Sequence, residues 1–137
     1  PHVCALKEAG GRSAKVSETL CELSDDFVVL SGDDGLTLPF MACGAKGVIS
    51  VASNLIPSVV VEMVGHALGS EYESARGIHL ANYKLFNDLF CEPNPVPVKT
   101  LMQLKGLLSS SEVRLPLTPP SKENSGLLAG IADSLNL

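Results

Sequence analysis

The sequence lacks the features that mark membrane-spanning, secreted and nucleic-acid-binding proteins. No apolar run approaches the roughly 18 residues that a transmembrane helix needs. The first residues, PHV, lack the basic and apolar regions of a signal peptide. Lys and Arg number 10 against 15 Asp and Glu, which gives a net charge of −5 without a basic stripe to follow a phosphate backbone. We therefore predict a soluble protein, with neither a membrane nor a nucleic acid as its partner.

Short metal-binding spacings are also missing. The four cysteines lie far apart, at positions 4, 21, 43 and 91, without a CxxC pair, and His66 and His79 are not part of an HExxH motif. The sequence therefore predicts no metal site. Single cysteines in apolar segments behave as small reduced hydrophobes, which favours a reducing, cytoplasmic location.

What is present is a large apolar fraction in an alternating pattern of strands and helices. The 137 residues, 45% of them hydrophobic, suffice for one domain with a sizeable core. Nearly continuous apolar runs at 2–9, 27–30 and 47–52 predict buried strands. Between them, Ser13 is expected to cap a helix that ends at Leu23, and a helix over 36–43 is expected to close at Gly44. The pattern predicts an α/β fold with a parallel sheet covered on both faces.

The predicted sheet is too small to be complete. Three strands cannot close a barrel and leave an exposed edge. The chain starts at Pro1 without an initiator methionine, and a strand is predicted within the first residues. We therefore expect the chain to begin within a fold whose sheet continues in residues outside this sequence.

From residue 57 onward helical periodicity replaces the strands. Helices are predicted over 57–68, 71–90, 96–108 and 121–137, with an extended linker rich in Ser and Pro over 109–120. The sequence thus divides into an α/β part, residues 1–56, and a helical part, residues 57–137.

Lys7 is the candidate nucleophile. By the two-residue period of a strand it shares a face with Val3 and Ala5. A lysine on the inward face of a barrel strand is desolvated, which favours the neutral amine that attacks a carbonyl. The commoner alternative is a solvated lysine at the rim of the sheet.

Two further segments are associated with predicted strands, one directly after a strand and one within a strand. The turn over 31–34 (SGDD) lies where barrel enzymes build their active sites, although an ordinary polar turn is the favoured interpretation of these residues alone. The segment 47–50 (GVIS) is most simply a buried strand, but a carbonyl at its end could orient a catalytic lysine. The loop 92–95 (EPNP) is interpreted as a rigid connection between helices.

Five motifs together resemble the dihydrodipicolinate synthase family in order and spacing. They are ALKEAG at 5–10, LSGDD at 30–34, GVISV at 47–51, LFCEPNPVPVK at 89–99 and RLPLTP at 114–119. The resemblance implies the C-terminal part of a (β/α)8 TIM barrel, in which residues 1–56 supply the last three strands. Residues 57–137 would then form the closing barrel helix and a C-terminal helical domain.

The resemblance also implies a mechanism and the residues that carry it. Lys7 would form a Schiff base with pyruvate, Gly32 would line the substrate cavity, and the Ile49 backbone carbonyl would accept a hydrogen bond beside the pyruvyl group. Asp33 is a weaker candidate for shaping the same rim. The enamine would condense with L-aspartate semialdehyde to give 4-hydroxy-tetrahydrodipicolinate, a step of lysine (diaminopimelate) biosynthesis. No metal or organic cofactor is needed, because the iminium is itself the electron sink.

The resemblance places several functions outside these residues. The family's proton-relay tyrosine and threonine, and the arginine that holds the second substrate, belong to the N-terminal half of the barrel. We therefore expect that missing half to be a required partner, a homo-oligomer (in the family, a homotetramer) to form, and this polypeptide alone to be inactive. Two alternatives remain: another pyruvate-dependent class I aldolase, and a catalytically inactive half-barrel that serves only in assembly.

Overall fold

The order of the elements follows the hydrophobic pattern of the sequence. The computed structural model describes residues 2–135. In chain order the elements are β1 Ala5–Glu8, α1 Ser13–Glu22, β2 Val28–Ser31, α2 Thr37–Ala42, a short 3-10 helix Ala52–Asn54, α3 Pro57–Leu68, α4 Tyr72–Asp88, α5 Val96–Leu104 and α6 Lys122–Ser134. The predicted change from alternating strands and helices to helices alone is therefore confirmed.

The two strands form a parallel pair. Ala5 lies opposite Val28 and Glu8 opposite Ser31, and α1 makes the crossover between the strands. Parallel strands joined through a helix place their carboxyl ends at the same edge. The residues that follow β1 and β2 therefore meet there.

The third predicted strand, 47–52, is wrong as an element. Among the described residues, the sheet continues there only through an isolated parallel bridge, Ser31 to Val48. The chain then turns into the 3-10 helix, because the Asp34 carboxylate binds the backbone N–H groups of Val51 and Ala52. A sheet ladder cannot continue where a side chain takes these donors.

The prediction that β1 is a buried strand is also wrong for this chain. Ala5, Leu6 and Lys7 are all exposed, whereas Val29 at the centre of β2 is fully buried. Within residues 2–135, β2 is the sole strand partner of β1, and α2 packs on β2. Both faces of β1 therefore remain open to solvent.

The helix ends differ from the predicted ends where local geometry decides. Ser13 is the first helical residue of α1 rather than its cap, and Arg12 occupies the cap position without a side-chain hydrogen bond. Helix α5 ends at Leu104, before the predicted residue 108, because Gly106 adopts a left-handed φ of +73°. Ser121 caps α6 as a serine should, with its Oγ accepting from the Asn124 N–H at 3.2 Å.

One hydrophobic core joins the α/β part to the helices. Fully buried side chains come from β2, α2, α4, α5 and α6, among them Val29, Phe40, Leu101 and Leu128. Helix α5 contributes Val98 and Leu101 to this core and packs against the 3-10 helix. Among residues 2–135, no helix combines the length and the apolarity needed to cross a bilayer.

Candidate active site

Lys7 lines a cavity at the carboxyl edge of the sheet. It is exposed, stands near the end of β1 and lies opposite Leu30 of β2. The cavity has a volume of about 340 Å³. It is lined by Lys7, Ile49, Ser50, Val51, Asn54, Asn94, Pro95, Val98, Lys99 and Met102. A primary amine thus faces a space of small-molecule size built from three parts of the chain.

The exposure of Lys7 departs from the sequence prediction. A desolvated lysine was expected on an inward face, but Lys7 is exposed, and within residues 2–135 β2 is the sole strand beside β1. In this chain Lys7 therefore has the surroundings of a rim residue, although it shares a cavity with Ile49.

Gly32 provides the room that the Lys7 side chain occupies. A Cβ atom at position 32 would lie 2.9 Å from Lys7 Cε, 2.7 Å from Ala9 Cβ and 3.1 Å from the Glu8 carbonyl oxygen. The Gly32 N–H donates to that same oxygen at 2.7 Å, which extends the pairing of the two strands beyond β2. Gly32 is therefore packed directly against the lysine stem.

Ile49 is held on its N-terminal side by β2. Its N–H donates to the Ser31 carbonyl at 2.8 Å, and the Ser31 N–H donates to the Gly47 carbonyl at 2.8 Å. Among residues 2–135 no donor binds the Ile49 carbonyl oxygen. This oxygen, on a residue that lines the Lys7 cavity, can accept a hydrogen bond from a bound molecule.

The two aspartates of the 31–34 turn have different surroundings. Asp33 Oδ1 accepts from the Leu36 N–H at 3.3 Å and so helps to close the turn before α2. Asp34 is buried, and its carboxylate accepts from the Ser50 hydroxyl, from the Val51 N–H at 2.9 Å and from the Ala52 N–H at 3.1 Å. Sequence reasoning did not identify Asp34. A second acidic residue directly after a strand end was the only available signal.

The helical part supplies residues that sequence reasoning also missed. Asn94 and Pro95 come from the 92–95 loop, and Val98, Lys99 and Met102 come from α5. Lys99 Nζ donates to the Glu112 carbonyl oxygen, which directs this second amine toward the linker. The EPNPVPVK motif contains most of these residues, but its spacing alone did not indicate that they reach Lys7.

The 92–95 loop is fixed to α6 by Glu92. Its Oε1 accepts from Asn124 Nδ2 at 2.8 Å and from the Ser121 N–H at 3.1 Å. The hydrogen bond from the Asn124 side chain, followed by the one from the Ser121 backbone, lowers the pKa of Glu92 below its ordinary value. The loop that lines the cavity is thus anchored from outside it.

A larger cavity adjoins the first. It has a volume of about 720 Å³, shares Pro95 and Lys99 with the Lys7 cavity, and extends to Arg114 and the linker. Lys7 does not line it, so volume does not identify the candidate site. We place the site at Lys7 because an amine and an available carbonyl share this cavity, with Gly32 packed against the lysine stem.

Apart from Lys7, the titratable side chains of residues 2–135 suggest no further chemistry at this site. Within residues 2–135 no group of three or more His, Cys, Asp or Glu side chains could hold a metal ion. A primary amine beside a cavity can add to the carbonyl of a small substrate and form an imine. The geometry therefore favours carbonyl chemistry at Lys7.

Comparison with known proteins gives a consistent family. The model of the dihydrodipicolinate synthetase family matches residues 1–134. A 4-hydroxy-tetrahydrodipicolinate synthase from Sulfurihydrogenibium sp. (strain YO3AOP1) is 52% identical over 124 residues, which are 90% of this chain and 42% of the relative.

Solved structures agree with the sequence match. The dihydrodipicolinate synthase from Aquifex aeolicus superposes with a TM-score of 0.94 at 46% identity, over 98% of this chain and 46% of that chain. A chloride-inhibited dihydrodipicolinate synthase from Acinetobacter baumannii, complexed with pyruvate, gives a TM-score of 0.89 at 31% identity, over 98% and 47% of the two chains. The chain thus spans less than half the length of each of these relatives.

Proposed function

The chain belongs to the dihydrodipicolinate synthetase family, and we propose that it supplies the imine-forming lysine of a 4-hydroxy-tetrahydrodipicolinate synthase. The observation that carries the proposal is the meeting of Lys7 and Ile49 in one cavity, with Gly32 against the lysine stem. The solved relative from Acinetobacter baumannii holds pyruvate, which supports pyruvate as the first substrate.

The reaction begins at the Lys7 amine. The neutral amine attacks the keto carbon of pyruvate, and loss of water gives an iminium ion. The iminium draws electrons from the neighbouring methyl group, which loses a proton and leaves an enamine. The enamine carbon then attacks the aldehyde carbon of L-aspartate semialdehyde and forms the new carbon–carbon bond. Attack of the substrate's own amine on the imine carbon closes the ring as 4-hydroxy-tetrahydrodipicolinate and releases Lys7.

Gly32 and Ile49 have supporting roles in this scheme. Gly32 leaves space for the Lys7 stem, because any Cβ atom there would lie within 3 Å of Lys7 Cε and Ala9 Cβ. The Ile49 carbonyl accepts a hydrogen bond beside the pyruvyl group. The reaction requires neither a metal nor an organic cofactor, since the imine itself stabilises the carbanion.

The site needs further polypeptide to be complete. Lys7 and both faces of β1 are exposed, so nothing within residues 2–135 desolvates the amine on that side. We therefore propose that residues 1–56 occupy the last three strand positions of a (β/α)8 barrel, and that 57–137 form its closing helix and C-terminal helical domain. The N-terminal half of such a barrel would complete the sheet and cover Lys7, and without it the chain would not turn over substrate.

The proposal extends to assembly and location. Large apolar side chains are exposed on several helices, including Val61, Leu68, Leu80 and Leu104, which supports a homo-oligomer such as a tetramer. The four cysteines are free, which supports the reducing cytoplasm. Sedimentation of the complete assembly and fractionation of cells test these two points.

A non-catalytic assembly partner is the second candidate, and the exposure of β1 favours it. A strand with an unpaired edge and open faces is suited to pairing with another sheet. In that case the chain would complete a barrel without forming an imine of its own. The two candidates differ in whether Lys7 reacts.

The test is reductive trapping of pyruvate. The chain is incubated with pyruvate and borohydride, both alone and co-expressed with the part of the Aquifex aeolicus synthase that it does not match. Peptide mapping should find the adduct on Lys7 in the co-expressed form, and K7A should abolish it. The control K46A removes an exposed lysine outside this cavity and should keep the adduct.

The outcomes separate the candidates. An adduct on Lys7 with turnover of L-aspartate semialdehyde supports the synthase. A stable co-assembled barrel without any Lys7 adduct supports the assembly partner and overturns the catalytic proposal. Faster turnover of a sugar aldehyde would contradict the proposed second substrate.

A further inference from the structure

Asp34 is an acidic side chain in the interior that the proposed chemistry does not use. Its exposed fraction is 2%. Oδ1 accepts from the Ser50 hydroxyl, while Oδ2 accepts from the Val51 N–H at 2.9 Å and the Ala52 N–H at 3.1 Å. A buried carboxylate is costly unless donors compensate it, and here three donors converge on it.

These three donors follow Ile49 directly in the chain. On its N-terminal side, Ile49 is fixed by its N–H bond to the Ser31 carbonyl at 2.8 Å. On its C-terminal side, the next three residues are those that Asp34 holds. The peptide unit that carries the Ile49 carbonyl therefore lies between a strand bridge and the Asp34 carboxylate.

A local network reinforces this hold. Ser50 Oγ accepts from the Ser53 N–H at 2.8 Å, and Ser53 Oγ donates to the Ser50 carbonyl at 3.0 Å. These bonds close the turn into the 3-10 helix, but they link residues 50–53 only to one another. Among the side-chain hydrogen bonds of this segment, those of Asp34 are the ones that tie it to the turn after β2.

We propose that Asp34 is a positioning residue that fixes the Ile49 carbonyl relative to Lys7. Asp34 lies two residues after Gly32, which packs on the Lys7 stem. The Asp34 carboxylate accepts hydrogen bonds from the segment that follows Ile49. One turn thus sets both the place of the amine and the direction of the acceptor. The inference rests on the proposed function, since it assigns a role in pyruvate binding.

Three variants weaken the hydrogen bonds of Asp34 to different extents, and a fourth is the control. D34A removes all three hydrogen bonds. D34N keeps one oxygen for the Val51 and Ala52 N–H groups, and its amide can donate to Ser50 Oγ, so it should rescue much of the effect. S50A removes the hydroxyl bond to Asp34 together with the bond that Ser50 Oγ accepts from the Ser53 N–H, and it keeps the buried carboxylate should D34A fail to fold. D88A is the matched control, because Asp88 is a half-buried aspartate in α4 that accepts from Lys84, away from the site.

Two readouts follow the variants in the co-expressed form. The first is the pyruvate concentration that gives half-maximal borohydride trapping on Lys7, measured together with the limiting trapping rate. D34A should raise that concentration roughly tenfold or more, because small displacements of a binding group cost binding steeply. S50A and D34N should raise it about two- to threefold, and D88A should leave it unchanged.

The second readout is amide hydrogen exchange at Val51 and Ala52 by NMR. D34A should accelerate exchange at these two amides about tenfold or more, while the amides of α4 keep their protection. Equal half-saturation in D34A, D34N and D88A, with faster exchange, would overturn the positioning role and leave Asp34 a stabilising residue. Unchanged exchange would overturn the inference outright.

Different outcomes test the proposed function and the Asp34 inference. A parent protein that traps no pyruvate on Lys7 overturns the synthase proposal and, with it, the role of Asp34 in binding. A parent that traps pyruvate while D34A and S50A trap it equally well overturns the Asp34 inference alone.

Discussion

The Cε atom of Lys7 lies 2.9 Å from the position that a Cβ atom would occupy at Gly32. The same Cβ would lie 2.7 Å from Ala9 Cβ and 3.1 Å from the Glu8 carbonyl oxygen. The lysine end is flexible and can move aside, but the Glu8 backbone is fixed by its pairing with β2. An added methyl group therefore displaces the lysine, the strand or both.

We expect G32A to reduce both stability and reaction at Lys7. Overpacking of this kind typically costs about 1–3 kcal/mol, and the displaced amine should trap less pyruvate at a given concentration. Urea unfolding measures the first effect and borohydride trapping the second. G77A is the control: Gly77 is exposed within α4 with no atom near its Cβ position, so alanine there should be neutral or stabilising by up to about 1 kcal/mol. A G32A protein with parent-like stability and trapping would refute the close packing.

A second prediction concerns the Glu92 anchor of the 92–95 loop. Its pKa is lowered mainly by the Asn124 side chain and then by the Ser121 N–H, so its bonds favour the folded state when the carboxyl is ionised. The contribution is therefore present above the ordinary pKa of 4.5 and is lost as pH falls through the lower, folded value. We expect E92Q and N124A to flatten the fall of melting temperature below pH 4.5.

The control for this prediction is E112Q. It removes a surface carboxylate whose side chain accepts no hydrogen bond from residues 2–135. If E112Q flattens the acid limb as much as E92Q does, the effect belongs to net charge rather than to the anchor. Trapping at Lys7 should also weaken in E92Q, because the loop contributes Asn94 and Pro95 to the cavity.

How far the sequence predicts this structure depends on whether the contacts that decide an element are local or distant in the sequence. The helices α3 and α4 lie close to their predicted bounds, since periodic burial on one face is a local property of the sequence. Helix α6 begins one residue after its predicted start and ends at Ser134, and positions 136–137 of the predicted helix lie outside the described residues. The prediction of a strand at 47–52 was wrong, because the Asp34 carboxylate, 17 and 18 residues away, takes the N–H donors of Val51 and Ala52. The prediction that β1 is buried was wrong, since the burial of a strand depends on what covers it rather than on its own apolar residues.

The same distinction holds at the candidate site. Strand periodicity indicated Lys7, and the family resemblance implied Gly32 and Ile49. The structure brings all three to one edge of the sheet. Asn94 and Lys99 reach this edge only through the packing of α5, and no spacing in the sequence predicts that contact. Their roles, like that of Lys7, remain predictions for the trapping experiment.

A third prediction tests how α5 and α6 are joined. Lys105 Nζ, just after α5, donates to the carbonyl oxygens of Ala132 at 3.2 Å and Leu135 at 2.7 Å, at the C-terminal end of α6. A cation there supplies a further donor to the last carbonyls of the helix and compensates the negative end of the helix dipole. We expect K105M to lower the free energy of unfolding by about 1–2 kcal/mol in urea titrations. K122M, at the exposed first turn of α6, should change it by less than about 0.5 kcal/mol. Equal losses in the two variants would contradict the proposed cap.

The last prediction concerns His79 in α4. It is buried, its Nδ1 has no hydrogen-bond partner within residues 2–135, and its ring lies 5.4 Å from that of Tyr83 and 6.0 Å from that of Phe86. Burial lowers the pKa of His79 from its ordinary value of 6.5, because the charged imidazolium loses its hydration. Below pH 6.5 the unfolded chain therefore binds a proton that the folded chain resists, so stability falls as pH decreases from 6.5 toward the folded pKa. We expect H79F to remove this fall.

The free energy of unfolding of the parent and of H79F, each measured at pH 7.5 and 5.0, checks this expectation. The difference between the two pH values serves as the internal control for altered packing. An equal pH dependence in both proteins would show that His79 is not the group that titrates, whereas a smaller dependence in H79F would identify the buried imidazole as a source of acid sensitivity in the helical part.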